Sequence, residues 1–325
     1  MSRITIKSIA KDLGISHMTV SRALSGHPNV LKETRETIQA RARELGYVKS
    51  AAALAMRGDG PRIVGLLLPN IVNEFYARFA NAMSLACDAD ALQLIIHLTN
   101  DDFETEELAL ARLLEVDASA VVMVPTPGQA DTPTPSYGSM RVIELIRQRD
   151  TTHQHPSIMV EDATAIRDAV QHLVNQGHSK IAYIGANQAL SSGRLRLEAF
   201  LGGAEEAGLD SDATQVRTGP PSFQMAQTHA RDILETGAST ALVCGGVEIS
   251  NGALSAFMSR RKGTAVDFAF VGYGDPSFYA WVNGGVTTIQ VPVLRLAKSA
   301  IELIKMADFN DSVPRVSFPA RLILR

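Results

Sequence analysis

The stretch Ile4-Thr-Ile-Lys-Ser-Ile-Ala-Lys-Asp-Leu-Gly-Ile-Ser-His-Met-Thr-Val-Ser-Arg-Ala-Leu-Ser-Gly26 decides how this chain is read. Ile6, Ile9, Ala10 and Leu13 recur at i, i+3, i+4 and i+7, which marks one face of a helix. Thr5 is placed to cap that helix and Gly14 to end it in a tight turn. Ser16 then caps a second helix whose inward stripe is Val20, Ala23 and Leu24, closed by Gly26 and Pro28. Ala10 and Val20 are small enough to let the two helices cross closely, so the joint at Gly14–Ser16 predicts a helix-turn-helix. A third helix is expected from Lys32 to Leu45, with Thr34, Ile38, Ala42 and Leu45 inward and Gly46 as its stop. Small helical bundles carry the same spacing, so periodicity alone leaves both readings open.

Charge separates this end from the rest. Residues 1–59 hold ten Lys and Arg against five acids, a net +5, while the remainder holds 21 against 29, a net −8. A basic end on an acidic body suits a polyanion-binding module joined to something else, although a solvated surface gives the same count. Residues 47–61 read as a transition. Ser50 to Met56 has high helix propensity but is too short to be stable alone, and Gly58, Gly60 and Pro61 break it. The segment is therefore either a linker or a helix that forms only when docked.

From residue 62 onward, short apolar runs alternate with amphipathic segments. Strands are expected at Ile63–Leu68, Leu92–Leu98, Ala120–Val124, Val142–Ile146, Ser157–Val160, Lys180–Ile184, Thr214–Arg217, Ala241–Cys244, Asp267–Val271 and Thr287–Val291. Helices are expected at Phe75–Cys87, Glu104–Leu114, Ala163–Asn175, Gly193–Ala207 and Leu294–Met306. Alternation of this kind predicts parallel sheets covered on both faces, and so many strands predict two similar α/β lobes. Thr126–Ser139, rich in Pro and Gly, is expected to be an irregular loop. Ligands bind beyond the carboxyl ends of such strands, where Asn70, Arg147 and Asp275 stand.

The chain has 325 residues, enough for two or three domains, and its 46% hydrophobic content supports a sizeable core. Cys87 and Cys244 are far apart, match no metal spacing and fit a reducing compartment. The N-terminus lacks the apolar core of a signal peptide and no long apolar window is present, so a cytoplasmic location without membrane insertion is expected. His153-Gln-His155 has no acidic or cysteine partner at helpful spacing and reads as a polar turn. Ser191-Ser192 resembles no nucleophile elbow, no phosphate loop occurs, and Gly202-Gly203 and Gly245-Gly246 read as packing or turn glycines. No catalytic set, metal site or cofactor is expected, so the chain is not read as an enzyme.

Residues 4–26, continued by Thr34-Arg-Glu-Thr-Ile38 and Glu44-Leu-Gly-Tyr47, resemble the headpiece signature of LacI-type transcriptional regulators. The resemblance extends through Ile63–Pro69, Asn73–Tyr76, Gly177-His178, Ile181–Gly185, Arg194–Leu197, Val271–Tyr273 and Leu294 onward, which is essentially the whole chain. It implies an α/β protein with an N-terminal three-helix helix-turn-helix headpiece (1–46), a hinge helix and linker (47–61), and a two-lobed periplasmic-binding-protein-like core of parallel sheets (62–325). It further implies a homodimer whose paired headpieces read a near-palindromic double-stranded DNA operator under control of a small effector. The chain's end soon after the last expected strand leaves no heptad tail, so a dimer rather than a tetramer is expected.

Carried residue by residue, the resemblance places His17, Met18 and Arg22 where bases are read. Arg offers a fork to guanine O6 and N7, which agrees with that placement. Thr5, Ser16, Thr19, Ser21, Asn29 and Thr34 would meet phosphates, each with helix capping or solvent contact as the plainer role. Ala53 and Met56 fall on the groove-facing hinge positions; Met56 departs from the family's Leu but is long and adaptable. Lys49-Ser50 replaces the usual Pro-Asn.

The effector cleft matches less well. Asn70, Asn73, Phe75, Arg147, Arg196 and Asp275 fall on pocket positions, Phe75 with core packing as its alternative and Arg196 with an ion pair as its own. Asn70 stands where Asp is common, Gly246-Val247 replaces an Asn-Asp pair, and Pro221 replaces an aromatic. Two arginines with fewer acids around them suggest an anionic ligand such as a sugar acid or sugar phosphate. Pairing of Arg196 with Asp275, and a neutral ligand, is the alternative. The expected function is a DNA-binding transcriptional repressor; a small-molecule binding protein without DNA-linked control is the second reading.

Overall fold

The computed structural model describes residues 4–47, 62–127, 136–149, 155–259, 268–306 and 313–325. The chain divides into two units, Met1–Pro61 and Arg62–Arg325.

In the first unit, α1 (Ile6–Leu13) begins at a reciprocal cap. The Thr5 side chain accepts from the Ser8 N–H, and the Ser8 hydroxyl accepts from the Thr5 N–H at 2.8 Å. Gly14 ends the helix at φ 68°, a left-handed conformation that a side chain would strain. Ser16 Oγ accepts from the Thr19 N–H at 3.1 Å and starts α2 (His17–Leu24). A third helix, α3 (Lys32–Glu44), closes the unit. Ile9, Ala10, Val20, Ala23, Val30, Ile38 and Ala42 form its core, which follows the expected inward stripes, while Thr34 is only half-buried. Polar contacts tie the helices together: Arg41 on α3 holds Asp12 on α1, and Arg35 Nη2 donates to the His27 carbonyl at 2.8 Å.

The second unit contains two six-stranded sheets. The first has the order β11-β5-β4-β3-β1-β2, built from β1 (Arg62–Leu68), β2 (Leu92–Leu98), β3 (Ala120–Met123), β4 (Arg141–Leu145), β5 (Ser157–Glu161) and β11 (Arg315–Pro319). The second has the order β12-β10-β9-β8-β6-β7, built from β6 (Ile181–Ala186), β7 (Thr214–Gly219), β8 (Ala241–Cys244), β9 (Ala269–Tyr273), β10 (Thr288–Gln290) and β12 (Arg321–Ile323). Every strand pair recorded is parallel except β10 with β12. The central strands are buried from end to end, as in β6 and β8, because helices cover both faces.

The helices of this unit are α4 (Glu74–Ala89), α5 (Phe103–Glu115), α6 (Ala163–Asn175), α7 (Ser191–Glu206), α8 (Phe223–Thr236), α9 (Val247–Met258) and α10 (Val293–Lys305). Alternation in sequence thus gives two lobes, as expected. The sequence reading missed β11 and β12, whose half-buried residues lack a continuous apolar run. The chain crosses between the lobes three times: at Asp162 between β5 and α6, at residues 291–293 between β10 and α10, and at Ala320 between β11 and β12. These crossings put the carboxyl ends of strands from both sheets around one cleft.

Candidate nucleic-acid interface and ligand cavity

On the first unit, α2 presents a polar face. His17, Met18 and Arg22 are exposed, Met18 at 53%, and no ion pair to Arg22 occurs among the described residues. An exposed Met beside an unengaged Arg, on a helix whose opposite face is core, gives no folding energy and leaves both side chains available to a partner. Thr19 and Ser21 are half-buried on the same helix, Ser16 is exposed at its start and Asn29 in the turn before α3, and Thr5 and Thr34 sit at the starts of α1 and α3. Ser16 and Thr5 are both engaged as caps, and Ser16 Oγ also lies 2.9 Å from Thr19 Oγ1. Ala53 and Met56, together with Lys49-Ser50, lie outside the described residues.

Between the lobes of the second unit lies a cavity. Asn70, Asn73, Phe75, Arg147 and Arg196 line it, together with Tyr76, Asp101, Ile146, Ser192, Pro221, Gly245, Gly246, Val247, Glu248, Ile249 and Tyr273. Several of the polar lining residues are held by the fold. Asn70 Oδ1 accepts from the Asn73 N–H at 2.9 Å, and Asn73 Oδ1 caps α4 through the Phe75 N–H at 3.0 Å. Phe75 stacks on Phe79 and meets Tyr76 edge-on, so it is at once core and cavity wall. Gly193 lets the first turn of α7 pack against the end of β6, since a Cβ there would lie 2.2 Å from the Asn187 carbonyl oxygen. That approach brings Ser192 and Arg196 to the cleft.

Arg147 follows a strained turn. Its N–H donates to the Leu145 carbonyl across Ile146, a β-branched residue at φ 53°, a conformation that costs about 1–3 kcal/mol. Arg147 is 5% exposed and pairs through Nη1 with Asp101, itself at φ 56°, while its Nε is buried with no partner among the described residues. Arg196 Nε donates to Asp162 Oδ2 at 2.6 Å and Nη1 to the Gly245 carbonyl at 3.1 Å, and its guanidinium carbon lies 4.3 Å from the centre of the Tyr273 ring. The Tyr273 hydroxyl donates to the same Asp162 oxygen at 2.6 Å; burial holds its pKa well above the phenolic value, so it stays a donor.

These contacts correct the sequence reading in three places. Asp275 does not line the cavity. It sits at φ 51° and its carboxylate is held by Arg325 at 2.8 Å and by Gln290 Nε2 at 2.8 Å. Arg196 does pair with an aspartate, but the partner is Asp162 rather than Asp275. Acids are also not scarce: Asp101 and Glu248 line the cavity, and burial raises the Glu248 carboxyl above its ordinary range against an opposing bond from Asn251. Glu248 was legible as the first-turn acid of the helix after β8, and Asp162 as the residue after β5. Asp101, three residues past β2, gave no local signal. Ser191 Oγ accepts from the Gln148 N–H at 3.0 Å, joining α7 of the second lobe to the segment after β4 in the first.

An N-terminal helix-turn-helix unit followed by a two-lobed core with a polar interlobe cavity defines the class of DNA-binding regulators built on periplasmic-binding-protein-like cores. Residues 5–50 match the family described as bacterial regulatory proteins, lacI family, and residues 170–325 match the periplasmic binding protein-like domain. Together the two matches support a LacI-type regulator as what this chain resembles. It is 23% identical over 302 residues to the HTH-type transcriptional regulator GalS of Salmonella typhimurium, covering 92% of this chain and 88% of that one. To catabolite control protein A of Priestia megaterium it is 22% identical over 326 residues, covering 99% and 98%. A crystal structure of the lac repressor dimer bound to operator and the anti-inducer ONPF superposes with a TM-score of 0.81 at 21% identity, covering 100% of this chain and 98% of that one. Among the described residues no helix is long and apolar enough to cross a membrane, and no group of three or more His, Cys, Asp or Glu is arranged to hold a metal ion.

Proposed function

We propose that the protein is a cytoplasmic, non-enzymatic transcriptional repressor that binds a near-palindromic operator as a homodimer and is controlled by a small polyhydroxylated effector in the interlobe cavity. The observation that carries the first half is the outward face of α2, where His17, Met18 and Arg22 stand free of the core. In this reading His17, Met18 and Arg22 meet base edges, and Thr5, Ser16, Thr19, Ser21, Asn29 and Thr34 meet phosphates or cap the helices that do. In the same reading Ala53 and Met56 meet the minor groove. Two headpieces on one operator gain affinity through effective concentration, which favours the dimer.

The second half rests on the charge pairing of the cavity. Arg147 and Arg196 each face an aspartate, and Glu248 adds a half-buried carboxyl, so a neutral ligand with several hydroxyls can both donate and accept without leaving an uncompensated charge. Asn70, Asn73 and Ser192 add short polar contacts, and Phe75 an apolar wall. A sugar acid or sugar phosphate is the second reading, favoured by the buried Arg147 Nε that lacks a partner among the described residues. Gel-shift titration against DNA upstream of its own gene tests the regulator, since a binding protein without DNA-linked control would show no operator preference. Calorimetry with D-glucose and D-gluconate, a matched neutral sugar and acid, separates the two ligand readings: tighter binding of the acid supports the second.

A further inference from the structure

The contacts around Asp162 differ in kind from the rest of the cavity. Asp162 is 7% exposed and does not line the cavity, yet one of its oxygens, Oδ2, receives both Arg196 Nε and the Tyr273 hydroxyl at 2.6 Å. Arg196 and Tyr273 both line the cavity and both belong to the second lobe. Asp162 itself stands on the first crossing, between β5 of the first sheet and α6, the N-terminal cap position of a helix whose neighbours are second-lobe elements. Its side chain makes no capping bond, so the carboxylate is committed to the two cavity side chains.

We propose that Asp162 is a positioning residue: it fixes the direction in which Arg196 and Tyr273 face the cavity, and it ties that direction to the backbone between the lobes. The inference deepens the effector-site reading and rests on it for its functional meaning. A guanidinium in such a site has several directions open to it; its Nε bond to Asp162 Oδ2, its Nη1 bond to the Gly245 carbonyl and the ring of Tyr273 beneath leave one. Any change at the crossing that moves the Asp162 carboxylate then moves the Arg196 donors with it. A ligand that engages Arg196 prefers one lobe arrangement over another, which is the differential affinity that a switch needs.

The test needs no knowledge of the effector for its first arm. In the full-length protein, hydrogen exchange at the arginine Nε–H groups is followed by NMR, with Arg196 assigned through Arg196→Lys. The Arg196 Nε–H should be strongly protected, and Asp162→Asn should speed its exchange by about tenfold or more, the loss of one charge-assisted hydrogen bond. Asp162→Glu should restore part of that protection, and Tyr273→Phe should keep it, because the carboxylate remains. Unchanged exchange in Asp162→Asn overturns the proposal. If that variant does not fold, loss of protection in Tyr273→Phe overturns it instead, since the ring rather than the carboxylate would then fix the guanidinium. The second arm measures operator affinity with and without D-glucose or D-gluconate. Asp162→Asn should bring the ratio of operator affinities with and without sugar towards one; a ratio kept at the wild-type value also counts against the proposal. Should neither sugar bind the wild type, the effector reading for those two compounds fails while the exchange arm still decides Asp162.

Discussion

Arg22 and Arg196 carry the same guanidinium in opposite circumstances. Arg22 stands exposed at the last turn of α2 with no ion pair among the described residues, so nothing in the fold has been built around it. Arg196, its side chain 12% exposed, is bonded to Asp162 and Gly245 and laid on a tyrosine ring. One arginine keeps its whole capacity for a partner outside the protein; the other has given most of it to the protein and offers the remainder in a fixed direction. The contrast separates two ways of recognising a ligand: an open face that reads a polymer, and a pre-organised wall that admits a small molecule.

The largest effect should come from breaking the buried side of this contrast. Asp162→Ala leaves Arg196 as an uncompensated buried charge, and urea unfolding of the core should lose about 3–5 kcal/mol. Arg22→Ala, in the same experiment, should stay within about 0.5 kcal/mol of wild type, because no contact is removed. A comparable loss in the two variants would mean that Arg22 is engaged after all. On DNA the order reverses. Arg22→Ala should cost about 1–3 kcal/mol on the operator and relax preference at one base position, with a much smaller loss on random DNA. Equal losses on both would make Arg22 a phosphate contact. Smaller again is Ser16→Ala, which removes the cap of α2 and should destabilise the headpiece by about 0.5–2 kcal/mol in thermal melts.

The same contrast explains what was legible in the sequence. The headpiece could be read nearly residue by residue, because its determinants are local: the Thr5 and Ser16 caps, the Gly14 turn and the 3.6-residue stripes lie within a few positions of each other. The lobes were legible as alternation, and Asn70, Asn73, Phe75, Arg147 and Arg196 do line one cavity because strand ends converge there. What failed is long-range. Nothing near Asp275 announces that Arg325, fifty residues later, takes its carboxylate, and nothing near Arg196 announces Asp162. The anionic-ligand expectation came from the acids missing at positions 70 and 247, whereas Asp101 and Glu248 bring carboxylates to the cavity from other positions.

The smallest effect belongs to Arg41, whose side chain is both solvent-accessible and paired. Arg41 Nε meets Asp12 Oδ2 at 2.6 Å and its Nη2 meets Oδ1 at 3.1 Å, with each side chain 37% exposed. The hydrogen bond from Arg41 holds the Asp12 carboxyl below its ordinary value of 3.8, against a weak opposing effect of burial. Since the folded value is the lower one, whatever the pair adds to headpiece stability is present above pH 3.8 and disappears as pH falls through the folded value. Solvent and salt screen a pair this exposed, so the contribution should shrink further at high ionic strength. Carbon-13 titration of the Asp12 carboxyl should therefore give a midpoint below 3.8 that returns to the ordinary range in Arg41→Ala and moves towards it in concentrated salt. A midpoint that ignores both changes would show that the pair does not persist in solution, and α1 would then be tied to α3 by the Ile9, Ala10, Ile38 and Ala42 packing alone.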